Sequence, residues 1–254
     1  PGFSVIKDAD AVFISIRRRV LPPADMQVLR DFVGAGKPVI GIRTASHAFS
    51  LGKKETPEGY ADWPEFDAEV FGGSYHGHLG NSLASTIQAD RELLHPILQS
   101  VTKEPFQQGY SLYNVMPLAN GTNVLATGKA EGHPTEPVAW TYQRPDGGRS
   151  FYTSLGHPKD FANRHFQQLL LNGIHWAVGL DQPPAVEPSA SPRPAEQHWV
   201  TVDVPTEQRR DAPPAGEPDD VSWYRCVVRI PEGWDGNELM IKTDQTTAID
   251  GVFF

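Results

Sequence analysis

Residues 11–47 read AVFISIRRRVLPPADMQVLRDFVGAGKPVIGIRTASH, and this stretch decides the fold. Residues 11–16 are apolar nearly throughout, the pattern of a strand covered on both faces. Pro22 and Pro23 open a helix, because proline has φ pre-set and lacks only an N–H that a first turn leaves unpaired. Met26, Leu29, Phe32 and Val33 then recur at helical spacing, and Gly34 and Gly36 end the run. Residues 38–42 form a second apolar strand. Strand, helix and strand in this order predict a parallel βαβ unit, and with it an α/β domain.

Working outward, residues 137–142 and 150–154 flank PDGG at 145–148, a turn composition that predicts a hairpin. Residues 163–178 carry Phe166, Leu169, Leu170, Gly173, Ile174 and Ala177 on one stripe and stop at Gly179, which predicts a helix packed on the sheet. His95-Pro96 reads as a turn before a short helix. Residues 181–197, QPPAVEPSASPRPAEQ with its preceding Asp181, have the composition of a semi-rigid linker. Beyond them, apolar runs at 199–204, 223–230 and 238–242 are joined by polar turns without a helical period, as in a β-sandwich. The organisation expected is an α/β domain over 1–180, a linker over 181–197 and the start of an all-β domain over 198–254. The buried character of 11–16 and the unfinished pattern at 249–254 predict further elements at both ends.

A net charge of −9, with no basic run longer than Arg17-Arg18-Arg19, lacks the footprint of a nucleic-acid binder. No apolar run approaches the ~20 residues of a membrane helix. Cys226 is the one cysteine, which rules out an intrachain disulfide and a cysteine-rich zinc site.

Ligands of open α/β sheets bind at the carboxyl ends of strands, which makes Arg43, Thr44, Ser46 and His47 candidates at the end of 38–42. The alternative is local: Arg43 pairs with a carboxylate and His47 caps or packs. His157, in TSLGHP at a second strand end, is suited to proton transfer near neutral pH or to bonding the backbone at a helix entry. His76 and His78 alternate in a glycine-rich segment, so an extended chain would turn both imidazoles to one face and offer two ligands to a divalent metal such as zinc. His47, His95 or His157 would supply a third; otherwise the segment is a polar surface loop. Tyr110, Tyr113 and Trp140 are candidates to stack on a sugar ring, or are core aromatics.

The segments quoted, their order and their spacing resemble the ThuA-like (trehalose utilisation) family. The resemblance rests on RRRVLPPADMQVLRDFVGAGKPVIGIRTASHAF, DWPEFDAEVFGGSYHGH, HPIL, EPVAWTYQ, GRSFYTSLGHPKDF and LLLNGIHWAVG, and spans nearly all of residues 11–179. It implies a flavodoxin-like, class I glutamine amidotransferase-like architecture, with a mostly parallel sheet and flanking helices. In true amidotransferases a cysteine nucleophile occupies a Gly-x-Cys-x-Gly elbow; GIRTA aligns with it and puts Arg43 where the thiol would stand. A guanidinium cannot attack an amide, so glutaminase activity is excluded. The resemblance implies a carbohydrate-linked role instead, with a crevice lined by Arg43, His47, Tyr110 and His157; of these His47 and His157 suit proton transfer and Arg43 an anion or hydroxyl anchor, while Ser46, Tyr113 and Trp140 are further candidates to hold the saccharide. WYRCVVRIPEGWDGNELMIKTD resembles the opening of a β-galactosidase-type jelly-roll, sugar-binding domain. Its Glu232 and Asp235 sit in a turn and form no convincing glycosidase pair. The alternatives are a non-catalytic carbohydrate-binding scaffold and a metal-dependent hydrolase. Sugar-directed domains on a proline-rich linker favour export to the periplasm or outside over the cytoplasm.

Overall fold

The computed structural model describes residues 3–80, 83–108 and 110–180, with 183, 185 and 186. Cys226, nearly all of the expected linker and the expected jelly-roll over 198–254 lie outside them. The βαβ unit is present: β1 (Val12–Ile14), α1 (Pro23–Gly34) and β2 (Val39–Ile42), with β1 and β2 parallel and Val12 opposite Val39. Pro23 stands in the first turn of α1, and Met26, Leu29, Phe32 and Val33 are its buried residues, as the spacing predicts.

The remaining strands are β3 (Ser85–Ala89), β4 (Phe106–Gln108), β5 (Thr122–Ala130), β6 (Thr135–Gln143) and β7 (Arg149–Thr153). Together they form one sheet in the order β1-β2-β7-β6-β5-β3-β4. The hairpin across PDGG is β6–β7, with Gln143 opposite Arg149. The expectation of a mostly parallel sheet is corrected. Only β1–β2 and β2–β7 are parallel; β7–β6, β6–β5, β5–β3 and β3–β4 are antiparallel. The cause is connection length. Parallel neighbours need a crossover of a dozen residues or more, whereas β5, β6 and β7 are joined by short turns that reverse the chain.

Strand alternation sorts the core into two layers. Val39, Trp140 and Tyr152 face the cluster that holds α1, Trp63, Phe66 and Phe71. Ile40, Ala139 and Phe151 face the cluster that holds α2 (Arg164–Val178), with Phe166, Leu169 and Leu170. Helix α2 is capped by Asn163, whose side chain accepts from the His165 N–H at 2.9 Å, and ends on left-handed Gly179. Among the described residues no helix is long and apolar enough to cross a membrane.

Gly173 sets how closely α2 approaches the sheet, because a Cβ there would lie 2.3 Å from Phe151 Cδ1, on a ring that is fully buried. Gly173→Ala gains ~1 kcal/mol of helix propensity but must push the helix off β7, and overpacking costs about 1–3 kcal/mol. A net loss of up to about 2 kcal/mol is expected in urea unfolding; a stabilised variant would mean that the contact is slack.

Candidate functional site

Because β1, β2 and β7 run parallel, their carboxyl ends share one edge of the sheet. Arg17 and Arg18 follow β1, Arg43 follows β2, and Gly156 and His157 follow β7. At the end of β2 the chain turns into a short 3₁₀ segment, Arg43–His47, and Arg43 takes a left-handed φ of 47°. A branched-chain-free but bulky residue pays for that conformation with strain, so something must hold it. The Tyr152 hydroxyl does so, donating to the Arg43 carbonyl at 2.6 Å. Opposite, Gly156 at φ 116° lets the loop after β7 come close; a Cβ there would lie 3.2 Å from Ile42 Cδ1 and 3.7 Å from Arg43 Cβ.

Beside Arg43 lies an aromatic wall. His47 stacks on Tyr75 at 4.2 Å between ring centroids, Tyr75 meets Tyr113 edge-on at 4.9 Å, and the Arg43 guanidinium stands 5.7 Å over the Tyr113 ring. The two tyrosines meet because residues 73–79 pair with 112–118 outside the main sheet. The His76 N–H donates to Asn114 O, and the Asn114 N–H donates to Gly77 O, each at 2.9 Å. Asp67 fixes this ribbon by accepting from the Tyr75 N–H at 2.9 Å, and its burial raises the carboxyl above the usual range. Across the crevice Tyr110 and His157 stack at 3.3 Å, with Lys159 Nζ 5.5 Å over the Tyr110 ring.

The electrostatics keep both imidazoles neutral. Burial, then the charges of Arg18, Arg17, His78 and Arg43, push His47 down to about 3. Burial and then Arg43 lower His157, against the opposing pull of Asp160. The Lys159 N–H donates to His157 Nδ1 at 3.2 Å, so neutral His157 carries its proton on Nε2. Asp160 accepts from the Gly156 and His157 N–H groups at 2.9 Å each, which sets the turn.

The expected residues are therefore brought together in part. Arg43, His47, Tyr110, Tyr113 and His157 stand at this edge of the sheet, with His47 and Tyr113 buried and Arg43, Tyr110 and His157 half-buried. Ser46 is buried and points inward: its hydroxyl lies 3.2 Å from His47 Nδ1 and 3.4 Å from Arg43 O, a position for orienting neighbours rather than meeting a ligand. Trp140 is corrected to a core residue; it is 1% exposed, packs on Tyr152 and donates its indole N–H to Phe71 O at 2.7 Å. His76 and His78 do not turn to one centre. His76 acts electrostatically on Asp67, whereas His78 packs toward Tyr75 and Tyr113 and donates from Nδ1 to Leu79 O at 2.6 Å. Among the described residues no three His, Cys, Asp or Glu side chains are grouped to hold a metal. His95 caps its short helix through Nδ1, accepting from the Ile97 N–H.

Tyr75, Ser111, Arg17 and Arg18 are the residues that sequence reasoning did not assign to the site. Ser111 Oγ lies 3.5 Å from Arg43 Nη2, and the Arg18 N–H donates to His47 O at 3.0 Å. The signal available for Tyr75 is its place directly before His76 in a segment already suspected; nothing local marks the arginines.

Two solved structures share this fold. One, from Bacteroides uniformis and described as ThuA-like, is 16% identical with a TM-score of 0.54, over 71% of this chain and 74% of its own. Another, from Parabacteroides merdae and also described as ThuA-like, is 19% identical with a TM-score of 0.53, over 72% of this chain and 75% of its own. No curated protein matches the chain. The family model described as "ThuA: Trehalose utilisation" matches residues 4–177, which span all the strands of the described residues, α1 and nearly all of α2, and the chain belongs to that family.

Proposed function

We propose that the chain binds a saccharide in the crevice at the carboxyl ends of β2 and β7, where neutral His157 meets it with its Nε2–H and neutral His47 accepts a hydrogen bond. The observation that carries this reading is the set of half-buried aromatic rings, Tyr75 and the Tyr110–His157 stack, on the edge where the Arg43 guanidinium stands over Tyr113. Sugar rings present C–H faces to aromatic groups and hydroxyls to charged donors, and the crevice offers both. The family's description, trehalose utilisation, supports a carbohydrate. Arg43, at the turn where a nucleophile would stand in a class I amidotransferase, has no lone pair to attack a carbonyl, and glutamine hydrolysis has no place in this reading.

His157 is the more accessible of the two imidazoles, and with Nδ1 held by the Lys159 N–H it presents its Nε2–H as a donor to a sugar hydroxyl or carbonyl oxygen. His47, 7% exposed beneath Tyr75, acts by accepting from the ligand's edge or by holding Tyr75 in place. That burial, with Arg43 in the elbow, also favours a second reading in which the crevice binds sugar without transforming it.

Two variants test the proposal. Tyr75→Ala is expected to weaken saccharide affinity about five- to tenfold in calorimetric titration. His157→Asn is expected to leave affinity within about threefold and to lower turnover by about 10²-fold or more. Unchanged affinity in Tyr75→Ala overturns the site. Saccharide binding without turnover in the parent chain selects the second reading.

A further inference from the structure

We infer that the crevice selects a saccharide bearing an oxyanion, a carboxylate or a phosphate, which the Arg43 guanidinium receives with Arg17 and Arg18 beside it. This deepens the saccharide reading above and rests on it. The chain carries a net charge of −9, yet Arg17, Arg18, Arg43 and Lys159 all follow the ends of β1, β2 and β7, which share one edge of the sheet. None of the three arginines has a carboxylate partner among the described residues. The two carboxylates near the crevice are spent on backbone: Asp67 accepts from Tyr75 and Ala68, and Asp160 from Gly156 and His157.

Arg43 is the sharpest case. Its Nη1 is buried and has no hydrogen-bond partner, while Nη2 has only the Ser111 hydroxyl at 3.5 Å. An unpaired buried donor on a cation is costly, and a planar fork with one edge unfilled matches the two oxygens of a carboxylate or phosphate. The backbone strain at Arg43, held by Tyr152, keeps the fork in this place. Arg18 is partly engaged, donating from Nη1 to Ser50 O at 3.2 Å. Arg17 is exposed, and its charge is felt at His47, Tyr75 and Tyr113, the rings of the aromatic wall. An anion over that wall would meet the arginine charges, while the nearby carboxylates of Asp67 and Asp160 are held by backbone N–H groups.

The test is calorimetric titration of the 254-residue chain with glucuronate, glucose 6-phosphate, glucose, trehalose and inorganic phosphate, at low and high salt. The anionic sugars are expected to bind about ten- to a hundredfold more tightly than the neutral ones, with the advantage shrinking in salt. Arg43→Gln should bring anionic and neutral sugars to within about threefold of each other. Arg17→Gln, at an exposed position that the fold does not depend on, should cut the preference by a smaller factor and steepen no other property; circular dichroism confirms the fold of both. A preference for glucuronate over glucose 6-phosphate, or the reverse, names the source of the anion and supports the inference either way. Equal affinity for glucose and glucuronate overturns it and leaves the saccharide reading standing. Inorganic phosphate binding as tightly as glucose 6-phosphate, or no sugar binding at all, overturns the saccharide reading itself.

Discussion

Replacing Arg144 with methionine is expected to destabilise the α/β domain by about 3–5 kcal/mol, the usual cost of removing one member of a buried charged network. Arg144 is 2% exposed and uses every edge of its fork. Its Nε donates to both oxygens of Asp146 at 3.1 and 3.0 Å, Nη1 to Ser150 Oγ at 2.9 Å and Arg149 O at 3.3 Å, and Nη2 to Lys37 O at 2.7 Å and Val33 O at 3.2 Å. One side chain thus ties the β6–β7 turn to the end of α1 and to the approach of β2. Gly148 is there because a Cβ would run into the guanidinium. Methionine fills much of the volume but leaves the Val33 and Lys37 carbonyls without this donor and Asp146 without its cation. At ~2–4 °C per kcal/mol for a domain of this size, a fall in Tm on the order of 10 °C is expected. Arg144→Lys keeps the charge and loses the fork, so it should fall between wild type and methionine. A loss under 1 kcal/mol in Arg144→Met would show that the three elements hold together without the network.

Arg144 also marks where sequence reading stops. The βαβ unit was legible because its signals are local: an apolar strand, Pro22-Pro23, a 3.6-residue period and a glycine stop. The hairpin announced itself through PDGG, and α2 through its stripe and Gly179. Strands β3 and β5 carry no comparable mark. Residues such as Thr86, Gln88, Asn123, Thr127 and Lys129 alternate or interrupt the apolar positions, and Gly128 lies mid-strand where it argues against a strand at all. Their pairing is decided by long-range register. The same distinction holds at the site. Arg43, His47 and His157 are placed at strand ends by local pattern, and the structure has them following β2 and β7. Tyr75, Ser111 and Arg17 are not assigned to the site by that pattern, because only the order of the sheet and the ribbon of 73–79 against 112–118 bring them there. Trp140 shows the converse error: residues 137–142 are buried on both faces, so an aromatic there is core, and its apolar neighbours on either side already said so.

Acid should unfold the domain earlier than its carboxylates alone would cause, and His47 is the reason. Its folded-state pKa lies at about 3, against an ordinary value of 6.5, so the unfolded chain binds a proton that the folded one refuses. A depressed pKa gives stability that is fully present above about 6.5 and is withdrawn as the pH falls toward 3. At ~1.4 kcal/mol per unit, the loss from this one group amounts to about 2–3 kcal/mol at pH 4.5 and grows further below. Asp67 works in the opposite sense, since burial raises its pKa and its protonation favours the folded state in acid. The wild-type profile alone is therefore not diagnostic; the difference between wild type and His47→Asn is. Urea unfolding at pH 7.0 and 4.5 should show wild type losing about 2–3 kcal/mol more than the variant between the two conditions. Equal losses would mean that His47 takes up a proton in the folded state, which the neighbouring Arg18, Arg17 and Arg43 charges oppose. The same measurement bears on chemistry. An imidazole that refuses a proton down to about pH 3 can serve neither as a general acid nor as an effective general base at neutral pH, and is restricted to hydrogen bonding with whatever the crevice holds.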